Sequence, residues 1–120
     1  MVKGISVASR KAKGRNLQNL IRDKLVEHFV TYGKQCQADD LTSTVMGESG
    51  ADIKLSPRGK EVIRMSIECK AKKTHGVYKY YEQAKGHYPE LEPVVFIKQD
   101  RSKPLVIVDA DYFIGLLRIY

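Results

Sequence analysis

Two short segments in the middle of the chain constrain the fold most, because each alternates apolar and charged residues. They are Ser49–Ser56 (SGADIKLS) and Ser66–Ala71 (SIECKA). Successive side chains of a β-strand point to opposite faces, so Glu68 and Lys70 of the second segment share one face. In the first segment the same rule places Asp52 opposite the apolar residues. Each predicted strand therefore carries charge on a face that a small domain would otherwise keep dry.

The tetrapeptide 56–59 (SPRG) is predicted as the turn of a hairpin between these strands. Asp52 would then approach Glu68 and Lys70, although the register is not fixed by the sequence. Two carboxylates beside an ammonium group suit Mg²⁺, which usually takes only one or two carboxylates from a protein and leaves positions for water and phosphate. The lysine could orient an attacking water or stabilise charge on a phosphodiester. The alternative is a surface salt bridge on a solvated sheet face.

Asp52 and the tripeptide Glu68-Cys69-Lys70 resemble the motif of the PD-(D/E)XK nuclease superfamily. The resemblance spans most of the chain, and the segment 46–57 is similar to that of small phage-encoded members. A basic helix, the acidic strands, a second helix and a closing strand pair follow the order of Holliday-junction-resolvase-like proteins. Two positions depart from the family pattern. Ala51 replaces the proline of the family name, and Gln18 stands where a helical glutamate is expected.

This resemblance implies a restriction-endonuclease-like α/β fold and metal-dependent cleavage of DNA, with branched or junction DNA as the substrate. Asp52 and Glu68 would bind Mg²⁺, with Mn²⁺ as a substitute, and Cys69 would add its backbone carbonyl. Lys70 would position or activate the attacking water. The supporting residues implied are Gln18 and Gln83. Because a neutral Gln18 supplies no negative ligand, the alternative is a DNA-binding accessory module that has kept the fold with little or no turnover.

The charge of the chain agrees with a polyanionic partner. The 120 residues carry a formal net charge of +7 and a pI near 9.4, and the length suits one domain. We expect a flexible basic arm at 1–13 and a single nuclease-like domain at 14–120. The alternative is that the positive charge only keeps the protein soluble. The residues predicted to contact nucleic acid are Arg10, Lys11, Lys13, Arg15, Ser49, Lys72, Lys73 and Lys79.

The cysteines and the hydropathy pattern exclude other classes. Cys36 and Cys69 are the only two cysteines, too few for a disulfide scaffold and without a Cys-x-x-Cys spacing, so both are predicted to be reduced. No long apolar run could span a membrane, and the N-terminus lacks the apolar region of a secretory signal. The expected location is the cytoplasm, which is the host cytoplasm if the protein is phage-encoded.

Periodicity predicts the element order α-β-β-β-α-β-β-α, a mixed central sheet flanked by helices. Apolar residues recur at helical spacing over 14–32, and a second helix is expected at 77–87 before a proline. A weakly patterned extended segment is expected over 34–44. Its adjacent acids, Asp39 and Asp40, are expected in a solvated turn. Continuous apolar runs at 94–97 and 105–108 predict buried strands. A short final helix would begin at Asp109 or Asp111 and pack Tyr112, Phe113, Leu116 and Leu117 against the core.

The predicted helix 77–87 carries several tyrosines, and the sequence allows two interpretations of them. In the helix 77–87, Tyr81 is the favoured core residue, and the alternative for its tyrosines is stacking on unpaired bases. His75 and His87 lack a paired ligand spacing and are interpreted as structural.

A homodimer is predicted, because a four-way junction needs two symmetric cuts and each chain has one candidate site; the alternative is a monomer. The candidate interface comprises the edge of strand 94–97, the tyrosine helix, and Phe113, Ile114, Leu117 and Ile119.

Overall fold

A long N-terminal helix covers one face of a small mixed sheet, and the computed structural model describes residues 7–45, 48–72 and 76–117. This helix, α1, spans Val7–Val26 and continues as a π-helix over Glu27–Tyr32. It begins before the predicted start at Gly14, so residues 7–13 of the predicted arm are helical. Residues 1–6 lie outside the described residues, and the flexibility of the arm stays a prediction.

The remaining elements follow in an order that contains one helix more than predicted. They are a 3-10 turn (Ala38–Asp40), β1 (Leu41–Ser43), β2 (Ile53–Leu55), α2 (Pro57–Ile63), β3 (Met65–Ala71), α3 (Val77–His87), β4 (Glu92–Lys98), β5 (Leu105–Ile107) and α4 (Ala110–Leu116). The fold is thus mixed α/β, and α3, β4, β5 and α4 lie where the sequence predicts them. The prediction that 105–108 is a buried strand is wrong, because Leu105 and Val106 of β5 are 62% and 50% exposed. The observed order of the described elements is α-β-β-α-β-α-β-β-α.

The strands form two small sheets. One has the order β3-β4-β5, with β3 parallel to β4 and β4 antiparallel to β5, so it is mixed as predicted. Because β4 lies in its centre, the prediction that strand 94–97 offers a free edge is wrong. The other sheet pairs β1 with β2, placing Leu41 opposite Leu55. The predicted hairpin between 49–56 and 66–71 is therefore also wrong.

The reason is that the tetrapeptide 56–59 begins a helix. The Ser56 hydroxyl accepts a hydrogen bond from the Gly59 backbone N–H at 3.0 Å, and Pro57 occupies the first helical turn, where its missing N–H costs nothing. Asp40 fixes this start by accepting from the Ser56 hydroxyl at 2.6 Å and from the Gln37 N–H at 2.7 Å. These bonds, the Ser56 bond first, lower the pKa of Asp40. Asp39 and Asp40, which were expected in a solvated turn, thus belong to the 3-10 turn that fixes the start of α2.

The core has two layers, one on each face of β3 and β4. Leu17 and Ile21 of α1 pack with Ile53 and Ile67 on one face. On the other face, α3 buries Tyr80 and Ala84 against Val95. Tyr80 is 6% exposed, whereas Tyr81 is only half-buried, so the prediction that favoured Tyr81 is wrong. The register of α3 is fixed at Ser66, whose hydroxyl donates to the Ala84 carbonyl at 2.6 Å.

The final helix begins as predicted but does not pack as predicted. Asp109 caps α4 by accepting from the Tyr112 N–H at 2.9 Å. Its apolar side chains remain exposed, with Phe113 at 53%, Ile114 at 61% and Leu116 at 63%. Both cysteines are free, as predicted, and both are buried. Among the described helices, none has the length and apolar character needed to cross a membrane.

Gly59 provides a test of how tightly α2 packs on the 3-10 turn. A Cβ atom there would lie 2.4 Å from the Asp40 carbonyl oxygen, whereas a Cβ at Gly14 in α1 would meet nothing within 4 Å. We expect Gly59→Ala to lower the free energy of unfolding by about 1–3 kcal/mol because backbone must move. Gly14→Ala should raise it by about 0.5–1 kcal/mol, because alanine favours the helix. Urea denaturation measures both, and equal effects would contradict the packing.

Candidate active site

Asp52 is held at the junction of the two sheets. It lies just before β2, and its Oδ2 accepts a hydrogen bond from the Cys69 backbone N–H of β3 at 2.7 Å. Thr44 fixes the backbone on the other side, because its N–H donates to the Asp52 carbonyl at 2.9 Å and its hydroxyl donates to the Ala51 carbonyl. The carboxylate is therefore brought to β3 without the predicted strand pairing.

Glu68 is the buried carboxylate of the site, with 3% of its surface exposed. It lies on the α3 face of β3, where its Oε2 is 3.4 Å from the Lys70 Nζ and its Oε1 is 3.1 Å from the His87 Nε2. Burial raises the pKa of Glu68 to about 7, and the adjacent Asp52 carboxylate adds to this rise while Lys70 opposes it. The three predicted residues Asp52, Glu68 and Lys70 thus converge.

Lys70 is more exposed than Glu68, with 20% of its side chain exposed. Its ammonium is 5.3 Å from the centre of the Tyr80 ring, and the ammonium of Lys72 approaches the same ring at 5.8 Å. A cation over an aromatic face is attracted by the ring quadrupole. The buried tyrosine therefore belongs to the floor of the site as well as to the core, and it gathers positive charge beside the carboxylates.

Cys69 contributes its backbone and not its thiol. Its side chain faces the α1 layer, where burial raises the pKa of the thiol, so the sulfur stays protonated. The N–H and C=O of one strand residue point to the same lateral edge. Because the Cys69 N–H points to Asp52, its carbonyl is directed to the same edge of β3. This is the orientation that the predicted carbonyl ligand requires.

The donor set fits a hard divalent cation held by few protein ligands. Within residues 7–45, 48–72 and 76–117, no group of three or more His, Cys, Asp or Glu side chains is arranged to hold a metal ion. Mg²⁺ needs no such group, since it is commonly held by one or two carboxylates and keeps several waters. Asp52 and Glu68 supply two adjacent carboxylates, and Cys69 adds a carbonyl. Both carboxylates repel each other, and a cation between them would relieve that repulsion.

Gln18 supports the site from α1 without being part of the acidic cluster. It is 6% exposed, and its Nε2 donates to the Thr44 carbonyl at 2.7 Å and to the Ser43 hydroxyl at 2.9 Å. Through Thr44 it positions the backbone of Asp52. Gln83, the other predicted supporting residue, lies exposed on α3. The contact from α3 to the acidic cluster is made by His87 instead.

His87 is the site residue that sequence reasoning missed. It ends α3, and Tyr80 precedes it by about two helical turns, which places both side chains on the same face of the helix. That spacing was the available signal, but nothing in the sequence indicates which strand residue this face meets. Glu48, another acid near the site in sequence, pairs with Lys54 at the surface.

The predicted nucleic-acid contacts fall on several surfaces. Lys11 and Arg15 are exposed on α1, and Ser49, Lys72 and Lys79 are exposed elsewhere, whereas Lys73 lies outside the described residues. Arg10 is also exposed on α1. Lys13 pairs with Asp100 at 2.8 Å and lines a cavity of about 420 Å³. This cavity opens where α1 meets the ends of β3 and β4, and it adds two cations that were not predicted, Lys98 and Arg101.

Comparisons of this chain with protein-family models, with curated proteins and with solved structures found no match.

Glu68 should make the stability of the metal-free protein depend on pH. Its pKa is about 7 in the folded protein and 4.5 ordinarily, so between these values the folded state binds more protons than the unfolded chain. The free energy of unfolding must therefore fall as the pH rises through this window. We expect Glu68→Gln to lose most of this slope and to exceed the parent by roughly 1–3 kcal/mol at pH 8. Urea denaturation in EDTA from pH 4.5 to 8 measures it.

Glu82→Gln is the matched control for this measurement, because Glu82 is an exposed carboxyl on α3. It should keep the slope of the parent protein. A Glu68→Gln protein whose stability varies with pH as the parent does would contradict the assignment.

Proposed function

We propose that this protein is a Mg²⁺-dependent endonuclease that hydrolyses DNA phosphodiester bonds, with a restriction-endonuclease-like arrangement of its mixed sheet. The observation that carries the proposal is the convergence of Asp52, Glu68 and Lys70 at the edge of β3. Asp52 lies just before a strand of one sheet and Glu68 lies in the other sheet, yet the bond from Cys69 N–H to Asp52 brings their carboxylates together. A surface salt bridge would not need a carboxylate as deeply buried as Glu68.

Each residue of the site has a separate role in this proposal. Asp52, Glu68 and the Cys69 carbonyl would hold the cation. When bound, Mg²⁺ supplies an acidified water and neutralises charge on the phosphodiester. Lys70, whose side chain is 20% exposed, would contact a phosphate oxygen or the attacking water, and its charge would stabilise the extra negative charge of the transition state. The tyrosine beneath Lys70 keeps its ammonium at the site.

Substitution of the three residues tests the catalytic proposal. We expect Asp52→Ala, Glu68→Ala and Lys70→Ala each to lower the rate of nicking of supercoiled DNA in Mg²⁺ by at least about 100-fold, because the two carboxylates would hold the cation and Lys70 would act on the reacting phosphate. Binding of DNA in EDTA should persist. Lys54→Ala is the control, since Lys54 is an exposed lysine that pairs with Glu48. Full activity of Glu68→Ala protein would rule the assignment out.

A second candidate function is a DNA-binding module that has little or no nuclease activity. Gln18 favours it, because its amide is committed to Thr44 and Ser43 and contributes no charge to a metal. Supercoiled, linear and four-way-junction DNA, each incubated with EDTA, Mg²⁺ or Mn²⁺, separate the two functions. Binding without cleavage in either metal favours the module, whereas cleavage only in Mn²⁺ indicates an enzyme with a weakened metal site.

The cavity beside Lys13 is proposed as a contact for the DNA backbone. Ligands of open α/β sheets bind outside the carboxyl ends of parallel strands, and here β3 and β4 end at Ala71 and Lys98. We expect Lys98→Ala/Arg101→Ala protein to bind DNA more weakly in EDTA. The slope of log affinity against log salt should fall by about 1–2, because each lost phosphate contact releases about one ion fewer.

Lys24→Ala/Lys34→Ala protein is the matched control for this slope. It loses the same charge from exposed positions that do not line the cavity beside Lys13. If both double variants reduce the slope equally, net charge alone governs binding and the cavity is not a specific contact.

A homodimer acting on branched or junction DNA in the cytoplasm completes the proposal. Two symmetric cuts need two sites, and each chain supplies one. The exposed apolar residues of β5 and α4 offer an interface, with Leu105 at 62% and Ile114 at 61% exposure, whereas Ile119 lies outside the described residues. Sedimentation at micromolar concentration should give a dimer that Leu105→Glu/Ile114→Glu dissociates. Tyr32→Glu, at a residue 74% exposed on the π-helix, should not.

A further inference from the structure

The contact between His87 and Glu68 joins the last turn of α3 to the proposed metal site. His87 Nε2 lies 3.1 Å from Glu68 Oε1, and Lys70 Nζ lies 3.4 Å from Glu68 Oε2. Each oxygen of a carboxylate whose side chain is 5% exposed therefore faces a nitrogen donor. Neither the proposed hydrolysis nor the pairing of the strands accounts for a histidine at this place.

The position of the Glu68 carboxylate needs such support. Burial, and then the charge of Asp52, disfavour the ionised form of Glu68 and raise its pKa, so the two carboxylates repel each other when both are ionised. A glutamate side chain has three rotatable bonds, and fixing it costs up to about 2 kcal/mol of rotamer entropy. Lys70 is a long, flexible partner, and it cannot both hold Glu68 and reach the phosphate. A second, stiffer donor is required to keep the two carboxylates together.

His87 satisfies this requirement because its own backbone is fixed. It lies on the helix whose Tyr80 and Ala84 are buried against the sheet, and the Ser66 hydroxyl ties that helix to β3. Its side chain is 30% exposed, so it stands between Glu68 and solvent. At 3.1 Å the His87 Nε2 lies within hydrogen-bonding distance of Glu68 Oε1, so a neutral ring with its proton on Nε2 can donate there, and a charged ring would donate more strongly.

We propose that His87 is a positioning residue that holds the Glu68 carboxylate beside Asp52, and so sets the affinity of the site for a divalent cation. This inference rests on the proposed function for the cation itself. His87 is not placed on the metal, and it does not touch the reacting atoms. Hydrogen-bonding partners of metal ligands contribute in this way, and their loss commonly lowers metal affinity by about 10- to 100-fold.

Two conservative variants test whether the effect of His87 depends on a hydrogen bond to Glu68 or on the ring itself. The amide nitrogen of glutamine is as many bonds from Cα as the histidine Nε2, whereas the amide nitrogen of asparagine corresponds to Nδ1. His87→Gln can therefore donate to Glu68, and His87→Asn falls short. Both lack the ring and both are neutral, so they differ chiefly in whether the donor reaches the carboxylate.

The experiment titrates Mn²⁺ into the DNA-free protein and follows free Mn²⁺ by electron paramagnetic resonance. We expect His87→Ala and His87→Asn to weaken binding about 10-fold. His87→Gln should stay within about threefold of the parent. Glu82→Ala, at an exposed residue on the same helix, should match the parent. Urea unfolding of each protein verifies that it is folded. If His87→Ala does not fold, the comparison of His87→Gln with His87→Asn decides whether His87 acts through a hydrogen bond.

Three results would overturn the proposal. Unchanged affinity in every variant would mean that Glu68 holds its place without His87. Equal loss in the Gln and Asn variants would assign the effect to packing of the ring. Tighter binding in the variants would mean that His87 competes with the cation.

A second readout needs no metal and separates this inference from the proposed function. If the parent protein binds no Mn²⁺, the metal-site proposal fails, and ¹⁵N spectra of the imidazole decide the role of His87 alone. In EDTA we expect His87 to carry its proton on Nε2, with a nitrogen shift that changes in Glu68→Gln and not in Glu82→Gln. An imidazole signal indifferent to Glu68→Gln would overturn the contact.

Discussion

The bond from the Cys69 N–H to the Asp52 carboxylate is the interaction on which the rest of the site depends. Among the described strands, β3 pairs only with β4, so its other edge carries backbone groups that need partners. A side-chain carboxylate, and not a neighbouring strand, meets that need at Cys69. A charged acceptor makes this a strong bond, and it joins the β1–β2 ribbon to the larger sheet. The position of Asp52 is thus set by the backbone of β3.

Once Asp52 is fixed there, the alternation of β3 determines what surrounds it. Ile67 and Cys69 enter the α1 layer, and Glu68 must then face α3 beside Asp52. Burying a second carboxylate next to the first is unfavourable, and Lys70 offsets part of the cost. The raised pKa of Glu68 is the sign that the offset is incomplete. Such an arrangement stabilises the fold poorly but suits a cation, which is why it supports a functional interpretation.

Much of this could be predicted from local pattern, and the failures have identifiable causes. The tripeptide 74–76 and Pro89 predicted the bounds of α3, and continuous apolar runs predicted the strands β4 and β5, because these elements are set by their own sequence. The tetrapeptide 56–59 is as good a helix start as a turn, and its partner Asp40 lies far away in sequence. The alternation of the site strands correctly placed charge on one face of β3. It could not reveal which helix residue that face meets, so His87 was missed.

Gln18 illustrates why an amide, and not a carboxylate, suits this position of α1. Its Nε2 donates to the Thr44 carbonyl, and the Thr44 N–H donates to the Asp52 carbonyl, so a chain of hydrogen bonds runs from α1 to the site. An ionised glutamate at this position would have no hydrogen-bond donor. Its negative oxygens would then face the Thr44 carbonyl oxygen and be repelled by it. The buried amide therefore replaces a possible ligand with a support for Asp52. If the site binds a cation, Asp52 and Glu68 must carry the charge that a third carboxylate would otherwise share, and this makes the placement of Glu68 more critical here.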